Sequence, residues 1–263
     1  MSNEAIYIHG TEASEQDRLR LLNRLTNRPF IDYLAIKRPI KILDVGCGLA
    51  ILANEIAELY PNCEVYGIEY SVEQLAQADQ APNLKLQQGD AHHLSFDADT
   101  FDIVYCRYLL EHVKNPVQVL QEMHRVLKPN GEIFTQENNI AITVYDPDCS
   151  KWDTIWQKFI NLQTDLGGDG LIGKRLYGML KQANFQRIEL SIAPQVHGFE
   201  DVQFDDWLLN IIGNAESARD KFIKYNIATS QELDEAIAEL EALRTNENAS
   251  TIFYWNRAKA VKL

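Results

Sequence analysis

The sequence predicts an α/β fold with a doubly wound, mostly parallel sheet of seven strands. Two observations lead to this prediction. Short apolar runs alternate with segments of helical periodicity over the first half of the 263-residue chain, which is the pattern of strands joined by helical crossovers. In addition, Lys41–Ala50 reads KILDVGCGLA, an apolar strand that runs through two glycines directly into a helical segment. A turn of this kind is typical of a binding site for a nucleotide-like ligand.

The glycine turn differs from the dinucleotide fingerprint in one respect. Gly46 allows a tight reversal of the chain, and Gly48 removes a side chain that would block the close approach of a ligand. A pyrophosphate-binding turn reads G-x-G-x-x-G/A, whereas here Ala50 follows Gly48 after only two residues. The turn alone is therefore weak evidence for a particular cofactor.

The first half of the chain contains five predicted strands. Two helical segments, Ser14–Leu25 and Phe30–Ile36, precede them. The strands are expected at Ile40–Val45, Glu64–Ile68, Leu84–Gln88, Phe101–Cys106 and Glu132–Gln136. Helical crossovers between them imply a parallel sheet with ligands at the carboxyl ends of its strands.

The second half of the chain is less regular. Trp152–Leu166 and Leu171–Ala183 have helical periodicity, and Arg187–Ile192 is the sixth predicted strand. Residues Val202–Arg244 are helical in period and rich in acids, and Thr251–Val261 is the last strand. An insertion of about fifty residues between two edge strands is too long for a plain connection. We interpret it as a helical lid.

Four segments are therefore expected along the chain. Residues 1–39 form an N-terminal helical arm, and residues 40–200 form the core. Residues 201–248 form the helical lid insertion, and residues 249–263 contain the final core strand.

Composition limits the partners and the compartment. The chain has 38 acidic and 25 basic residues, and this balance argues against binding to duplex nucleic acid, which needs Lys and Arg to neutralise phosphates. Its four cysteines contain no C-x-x-C pair, which indicates reduced thiols in a cytoplasmic protein. The sequence shows no signal peptide, and no apolar stretch approaches the ~20 residues of a membrane span. The oligomeric state is left open.

Four short motifs stand at the ends of the first four predicted strands. They are Asp44-Val-Gly-Cys-Gly48, Glu69, Gly89-Asp90-Ala91 and Cys106-Arg107-Tyr108. Together with LKPNGEIF at Leu127–Phe134, this set resembles the class I S-adenosylmethionine-dependent methyltransferases, over roughly Ile40–Glu137. The resemblance implies a Rossmann-like fold, S-adenosylmethionine as the methyl donor and a small-molecule acceptor.

The resemblance implies a specific role in cofactor binding for each of two acidic residues. Glu69 lies about twenty residues beyond the glycines, where an acidic side chain can accept hydrogen bonds from both ribose hydroxyls. The alternative is a solvated charge at a helix start. Asp90 is expected to accept the exocyclic amine of adenine, with the Ala91 N–H facing a ring nitrogen, and the alternative is a turn aspartate.

The remaining implied cofactor contacts surround the methionine part of the ligand. The resemblance places Gly46 and Gly48 beneath it, whereas Asp44 orders the loop and reaches the ammonium group through water, and Cys47 is a small packing residue. The cofactor-binding set is completed by the neighbours Tyr70, Gln74 and Cys106.

Arg107 and the N-terminal residues have two interpretations each. Arg107 follows a buried strand, where it can pair with the cofactor carboxylate or with Glu111 four residues on, and the sequence leaves the two open. By resemblance to small-molecule methyltransferases, Tyr7 and His9 close the pocket from above, although chain ends are often loose.

No catalytic residue is assigned. Methyl transfer from a sulfonium is an in-line displacement in which most of the catalysis is positioning, so a general base is needed only if the nucleophile must lose a proton early. The weak candidates, each equally interpretable as pocket wall or surface, are His9, Tyr108, Glu137 and His197. No metal is expected, because the cation Arg107 occupies the strand-four position at which a metal-assisted branch of the family has an acid.

The substrate is expected to be a small, partly apolar metabolite. The fourth strand lacks the Asn-Pro-Pro-Tyr ending of enzymes that methylate amino groups of bases or glutamines. Aromatic and aliphatic residues of the second half, such as Trp156, Trp207 and Ile211, are candidates to enclose an apolar molecule. Two alternatives stay open: a non-catalytic S-adenosylmethionine-binding regulatory protein and, disfavoured by the short glycine pattern and by Gly-Asp-Ala, an NAD-dependent oxidoreductase.

Overall fold

The structure is a computed structural model that describes residues 13–78 and 80–263. It divides into two compact units. The sheet unit consists of Asn27–Asn138, Ile172–Ala193 and Trp255–Leu263. The helical unit consists of the described part of the chain up to Thr26, Asn139–Leu171 and Pro194–Tyr254.

The sheet unit is built on five parallel strands. They are β1 (Lys41–Val45), β2 (Glu64–Glu69), β3 (Leu84–Gln88), β4 (Phe101–Arg107) and β5 (Leu127–Glu137), in the spatial order β3-β2-β1-β4-β5. The strand β8 (Ser250–Val261) runs antiparallel to β5, and β7 (Gln186–Gly198) pairs with β8. The predicted α/β fold with a mostly parallel sheet is therefore confirmed.

Helices cover both faces of this sheet. They are α1 (Ala13–Leu34), which begins in the helical unit, α2 (Ile51–Leu59), α3 (Val72–Leu75), α4 (Pro116–Val126) and α6 (Leu176–Gln182), with short 3-10 helices at Leu110–His112 and Ile172–Arg175. Along β4, Ile103 and Tyr105 pack into the core cluster that contains α1 and α2 residues. Val104 and Cys106 pack into the cluster formed with α4 and α6. This alternation is the doubly wound arrangement, and it decides which side chains share a face.

The helix α1 differs from its prediction. The two segments expected on either side of Pro29 form one continuous helix. An interior proline removes one backbone hydrogen bond and costs about 3 kcal/mol. Beyond it, however, Phe30, Ile31 and Leu34 recur at helical spacing and are buried, which stabilises the helix by roughly 1.5–3 kcal/mol for each side chain. Burial therefore outweighs the helix-breaking residue.

The helical unit contains α5 (Ser150–Asp165), α7 (Phe204–Lys224), α8 (Ser230–Leu243) and the short strand β6 (Thr143–Asp146), which pairs with the first part of β8. With β6, the described residues contain eight strands where seven were predicted. Only Tyr145 of β6 is buried, so the segment has no apolar run that sequence patterning could detect. The predicted insertion is helical, as α7 and α8 show, whereas its action as a lid and the four domain boundaries stay predictions.

Two features are absent from the described residues. None of their helices combines the length and the apolar character that a membrane crossing requires. Nor do three or more His, Cys, Asp or Glu side chains converge anywhere in them as a metal site would require.

Candidate functional site

The turn after β1 has the tight geometry that its glycines predict. Gly46 and Gly48 have φ angles of 76° and 56°, in the left-handed region that favours glycine. A Cβ atom on Gly46 would lie 2.7 Å from a methyl group of Leu109. The amides of Gly46 and Cys47 both donate to the carbonyl of Ile68, at 2.8 and 3.0 Å. The turn is thus fixed against the end of β2.

Glu69 reaches across from β2 to the same turn. Its Oε2 accepts the Gly48 N–H at 2.9 Å, and its Oε1 accepts the Ser71 N–H at 2.9 Å. A carboxylate oxygen has two lone-pair directions, so each oxygen of Glu69 retains one acceptor site. The carboxylate is thereby oriented by the backbone and is still able to accept two hydroxyl groups, as a ribose diol would require.

Asp90 is held in a similar way after β3. Its Oδ1 accepts both the backbone N–H of His92 and a hydrogen bond with His92 Nδ1, each at 2.8 Å. Burial raises the pKa of Asp90, but these hydrogen bonds outweigh it and the pKa lies below its ordinary value. Asp90 is therefore an ionised acceptor, and the adjacent Ala91 is half-buried.

Asp44, at the end of β1, is buried and carries a strongly shifted pKa. Burial raises this pKa to about 7, against the hydrogen bond from Tyr105 and the positive charge of Arg107, whereas the negative charge of Glu69 adds to the rise. The Tyr105 hydroxyl donates to Asp44 Oδ2 at 2.9 Å. The charge of Asp44 consequently changes near neutral pH.

Cys47 is not equipped as a nucleophile. Burial and the neighbouring carboxylates of Asp44 and Glu69 raise the pKa of its thiol well above the ordinary value. A thiol that stays protonated is a poor nucleophile, which agrees with a packing role.

Cys106 and Arg107, two predicted cofactor contacts at the end of β4, project to opposite faces of the sheet. Cys106 is fully buried, and its Sγ donates to Glu137 Oε1 at 3.5 Å, so its side chain does not face a ligand. Arg107 points to the other face, where its Nη2 donates to Asn27 Oδ1 at 2.7 Å and its guanidinium lies 5.6 Å from the ring centre of Phe30. Its second predicted partner, Glu111, is buried and accepts a short hydrogen bond from Asn138.

Glu137 is placed to hold the loop after β4 and has no exposed surface. Its carboxyl accepts the N–H groups of Leu109 and Leu110, at 3.3 and 3.1 Å. Burial, together with the charge of Glu111, raises its pKa to about 8. A largely protonated and enclosed carboxyl is suited to positioning the loop and poorly suited to acting as a base.

Tyr108 belongs to the same loop and has a φ of 58°. Its hydroxyl accepts a hydrogen bond from Gln136 Nε2, and its ring packs against that of Trp255 with centres 5.4 Å apart. A left-handed non-glycine residue held by side-chain contacts is typical of a functional site. Tyr108 is thus oriented at the end of β4.

The other predicted site residues are dispersed. Gln74 lies beside the glycine turn, because a Cβ on Gly48 would lie 3.0 Å from its Oε1, whereas Tyr70 is mostly exposed. His197 belongs to the helical unit and is buried, with Nδ1 3.1 Å from Asp201 and Nε2 2.9 Å from Gln195. Both ring nitrogens are therefore occupied. Tyr7 and His9 lie outside the described residues.

Three residues that sequence reasoning missed join this arrangement. Asn27 binds Arg107, and Gln136 lies between Tyr108 and Arg257, whose Nε donates to Gln136 Oε1 at 2.7 Å. They come from α1, β5 and β8. Their proximity follows from strand register and helix packing, for which the sequence contains no local signal.

The chain is similar to known methyltransferases. A family model described as a methyltransferase domain matches residues 43–135. An uncharacterized methyltransferase of Schizosaccharomyces pombe is 26% identical over 221 residues, which cover 80% of this chain and 76% of the relative. A demethylmenaquinone methyltransferase of Staphylococcus carnosus is 30% identical over 179 residues, which cover 65% of this chain and 72% of the relative. The chain spans about half the length of several other curated relatives.

The fold agrees with these matches. The crystal structure of a methyltransferase-like protein from Bacillus halodurans superposes with a TM-score of 0.59 at 18% identity, covering 90% of this chain and 99% of that chain. At this identity the likeness shows the fold alone. Taken with the family model and the Staphylococcus relative, it shows that the chain belongs to the class I S-adenosylmethionine-dependent methyltransferases, with S-adenosylmethionine as its methyl donor.

Proposed function

We propose that this protein transfers the methyl group of S-adenosylmethionine to a small, partly apolar metabolite by in-line displacement. The observation that carries the proposal is the orientation of Glu69, whose two oxygens are fixed by the Gly48 and Ser71 amides and keep one acceptor site each. The names of relatives support the substrate class, since demethylmenaquinone and ubiquinone-biosynthesis methyltransferases are among them.

The cofactor contacts are proposed residue by residue. Glu69 binds the ribose hydroxyls, and Asp90 with the Ala91 amide binds the adenine. Gly46 and Gly48 lie under the methionine part, where the 2.7 Å approach of Leu109 to a Cβ on Gly46 supports a need for glycine. The contacts Asp44, Cys47, Tyr70, Gln74, Cys106, Arg107, Tyr7 and His9 complete the proposed set.

The residues of this chain contribute mainly by positioning. The bound cofactor supplies an activated methyl carbon, so the protein must align the acceptor atom with it and exclude water. Glu137 fixes the backbone of Leu109 and Leu110, and these flank the glycine turn through the contact of Leu109 with Gly46. Glu137 is thus proposed as a positioning residue, and no general base is proposed.

The charge balance and the cysteines of the chain support two further proposals, one on the type of partner and one on the cellular compartment. The acidic balance of the sequence supports a small-molecule acceptor in preference to nucleic acid. All four cysteines are free, which supports a reducing, cytoplasmic compartment.

Calorimetry with S-adenosylhomocysteine and with NAD tests the cofactor assignment. We expect binding of the former and none of the latter, and Glu69→Gln should weaken binding by about 1–3 kcal/mol because hydrogen bonds to a charged acceptor are lost. The matched control is Glu58→Gln on α2, an exposed carboxylate that accepts from Asn54. Preference for NAD, or unchanged affinity of the Glu69→Gln protein, contradicts the assignment.

Catalysis itself is tested with radiolabelled donor and a metabolite extract. Transfer of label into a small organic product supports the enzyme proposal. Tight cofactor binding without any labelled product would favour the alternative, a non-catalytic regulatory protein.

A further inference from the structure

The histidine next to Ala91 makes a contact that the proposed function does not use. His92 Nδ1 lies 2.8 Å from Asp90 Oδ1, and the His92 N–H donates to the same oxygen at 2.8 Å. An ionised carboxylate only accepts hydrogen bonds, so Nδ1 carries the hydrogen in this contact. The imidazole and the backbone of His92 therefore hold one oxygen of Asp90 together.

The other oxygen of Asp90 stays available to a ligand. No group in the described part of the chain donates a hydrogen bond to Asp90 Oδ2. His93 Nδ1 lies 3.8 Å from it, which is too distant for a hydrogen bond. The side chain of Asp90 is 48% exposed, so this oxygen can be reached from outside. The two oxygens thus differ, since Oδ1 is fixed within the loop and Oδ2 is open.

Asp90 lies beside the proposed ribose contact. Gln88 at the end of β3 pairs with Glu69 at the end of β2, and the Gly89 N–H donates to the Glu69 carbonyl at 3.0 Å. Asp90 is the next residue of the chain. Since β2 and β3 are parallel, both ends lie at the edge of the sheet where ligands bind. A nucleoside whose ribose binds Glu69 therefore brings its base towards Asp90.

The backbone of this loop is fixed by contacts that do not involve the His92 ring. Gln118 Nε2 of α4 donates to the His92 carbonyl at 3.2 Å. The Leu94 N–H donates to Glu122 Oε2, also on α4, at 2.9 Å, and Leu94 is buried. Because α4 already holds the backbone, the remaining effect of the imidazole is on the direction of the Asp90 carboxylate.

We propose that His92 sets the base specificity of the cofactor site by holding Asp90 Oδ1 so that Oδ2 faces the exocyclic amine of adenine. This inference rests on the proposed function, which assigns Asp90 to the adenine. A carboxylate that is already held loses less conformational entropy when it binds a ligand. An amine can donate to it, whereas the carbonyl oxygen of hypoxanthine cannot. His92 is a positioning residue, because it acts through Asp90.

The test compares S-adenosylhomocysteine with S-inosylhomocysteine, in which a carbonyl oxygen replaces the exocyclic amine. Calorimetry measures both affinities for the unchanged protein, for His92→Phe, which keeps a ring without the donor, and for His92→Asn, which keeps a side-chain N–H. The matched control is His93→Phe, because His93 lies in the same loop and is too distant to bond Asp90 Oδ2. Circular dichroism and thermal unfolding verify folding, and His92→Leu serves if His92→Phe does not fold.

We expect the unchanged protein to prefer S-adenosylhomocysteine about tenfold or more, the effect of a hydrogen bond to a charged acceptor. His92→Phe should reduce this preference about three- to tenfold, the effect of losing one hydrogen bond. His92→Asn should retain most of the preference and His93→Phe all of it. In an Asp90→Ala protein the preference should be lost, and adding His92→Phe should change it no further, because the two side chains act as one unit.

Two results overturn the inference. One is that His92→Phe keeps the full preference, even where it weakens both ligands equally, because the histidine then has only a structural role in the loop. The other is that His93→Phe reduces the preference as much as His92→Phe, because the contact with Asp90 Oδ1 is then not responsible. Failure of the unchanged protein to bind S-adenosylhomocysteine at all would instead contradict the proposed function, and this inference with it.

Discussion

Asp44 predicts a pH dependence of cofactor binding that one substitution removes. Burial raises its pKa from 3.8 to about 7. If ionised Asp44 attracts the cofactor ammonium group, as proposed, affinity must rise with pH as the carboxyl loses its proton. With a pKa of about 7, roughly half of Asp44 is ionised at pH 7 and about 3% at pH 5.5, so affinity should be lower at pH 5.5 than at pH 7 by about fifteenfold, or ~1.6 kcal/mol.

The same shift predicts the direction of a stability change. Since the folded-state pKa is raised, the folded protein keeps a proton that the unfolded chain releases above pH 3.8. The stabilisation is therefore full below pH 3.8 and is lost as pH rises to about 7. A shift of this size corresponds to at most about 4 kcal/mol. Asp44→Asn should flatten this part of the stability curve.

Calorimetry with S-adenosylhomocysteine between pH 5.5 and 7 is the decisive assay, because the amino group of the ligand stays protonated there. Asp44→Asn should bind with the same affinity across the range. Tyr105→Phe should move the inflection to higher pH, since it removes the hydrogen bond that stabilises the ionised form. A flat profile for the unchanged protein, or an undiminished slope for Asp44→Asn, refutes the reasoning.

Three further predictions concern the turn, the loop and α8. Gly46→Ala should lower cofactor affinity and destabilise the fold by about 1–2 kcal/mol or more, because a left-handed φ and a 2.7 Å contact with Leu109 oppose a methyl group; calorimetry and urea unfolding measure both. Glu137→Ala should leave the two loop amides unpaired and cost roughly 1–3 kcal/mol in urea unfolding, whereas Glu137→Gln, which keeps an acceptor, should cost less, and equal losses contradict the positioning role. Thr229→Ala should cost about 1 kcal/mol by loss of the capping box with Glu232, and an unchanged melting temperature contradicts this.

Sequence reasoning predicted the parts of this protein that local patterns encode. The parallel strands follow from apolar runs, and the rule that ligands bind at their carboxyl ends places Glu69 and Asp90 without any knowledge of contacts. Sequence reasoning could not predict that the helix α1 continues through Pro29. This helix is stabilised by the burial of Phe30 and Leu34, which is a tertiary interaction. The strand β6 escaped prediction for the corresponding reason, since it has a single buried residue.

The contrast between Glu137 and Arg257 shows where such reasoning ends. Glu137 was a candidate because it follows a strand, yet the pleat sends it to the face of Cys106, where two amides enclose it. Arg257 showed no signal, because β8 reaches the site antiparallel to β5 and from the far end of the chain. The register that aligns Arg257 with Gln136 and Arg107 joins residues of three strands that no local pattern relates. Contacts between such residues depend on strand register and on the pleat, which no motif in the chain records.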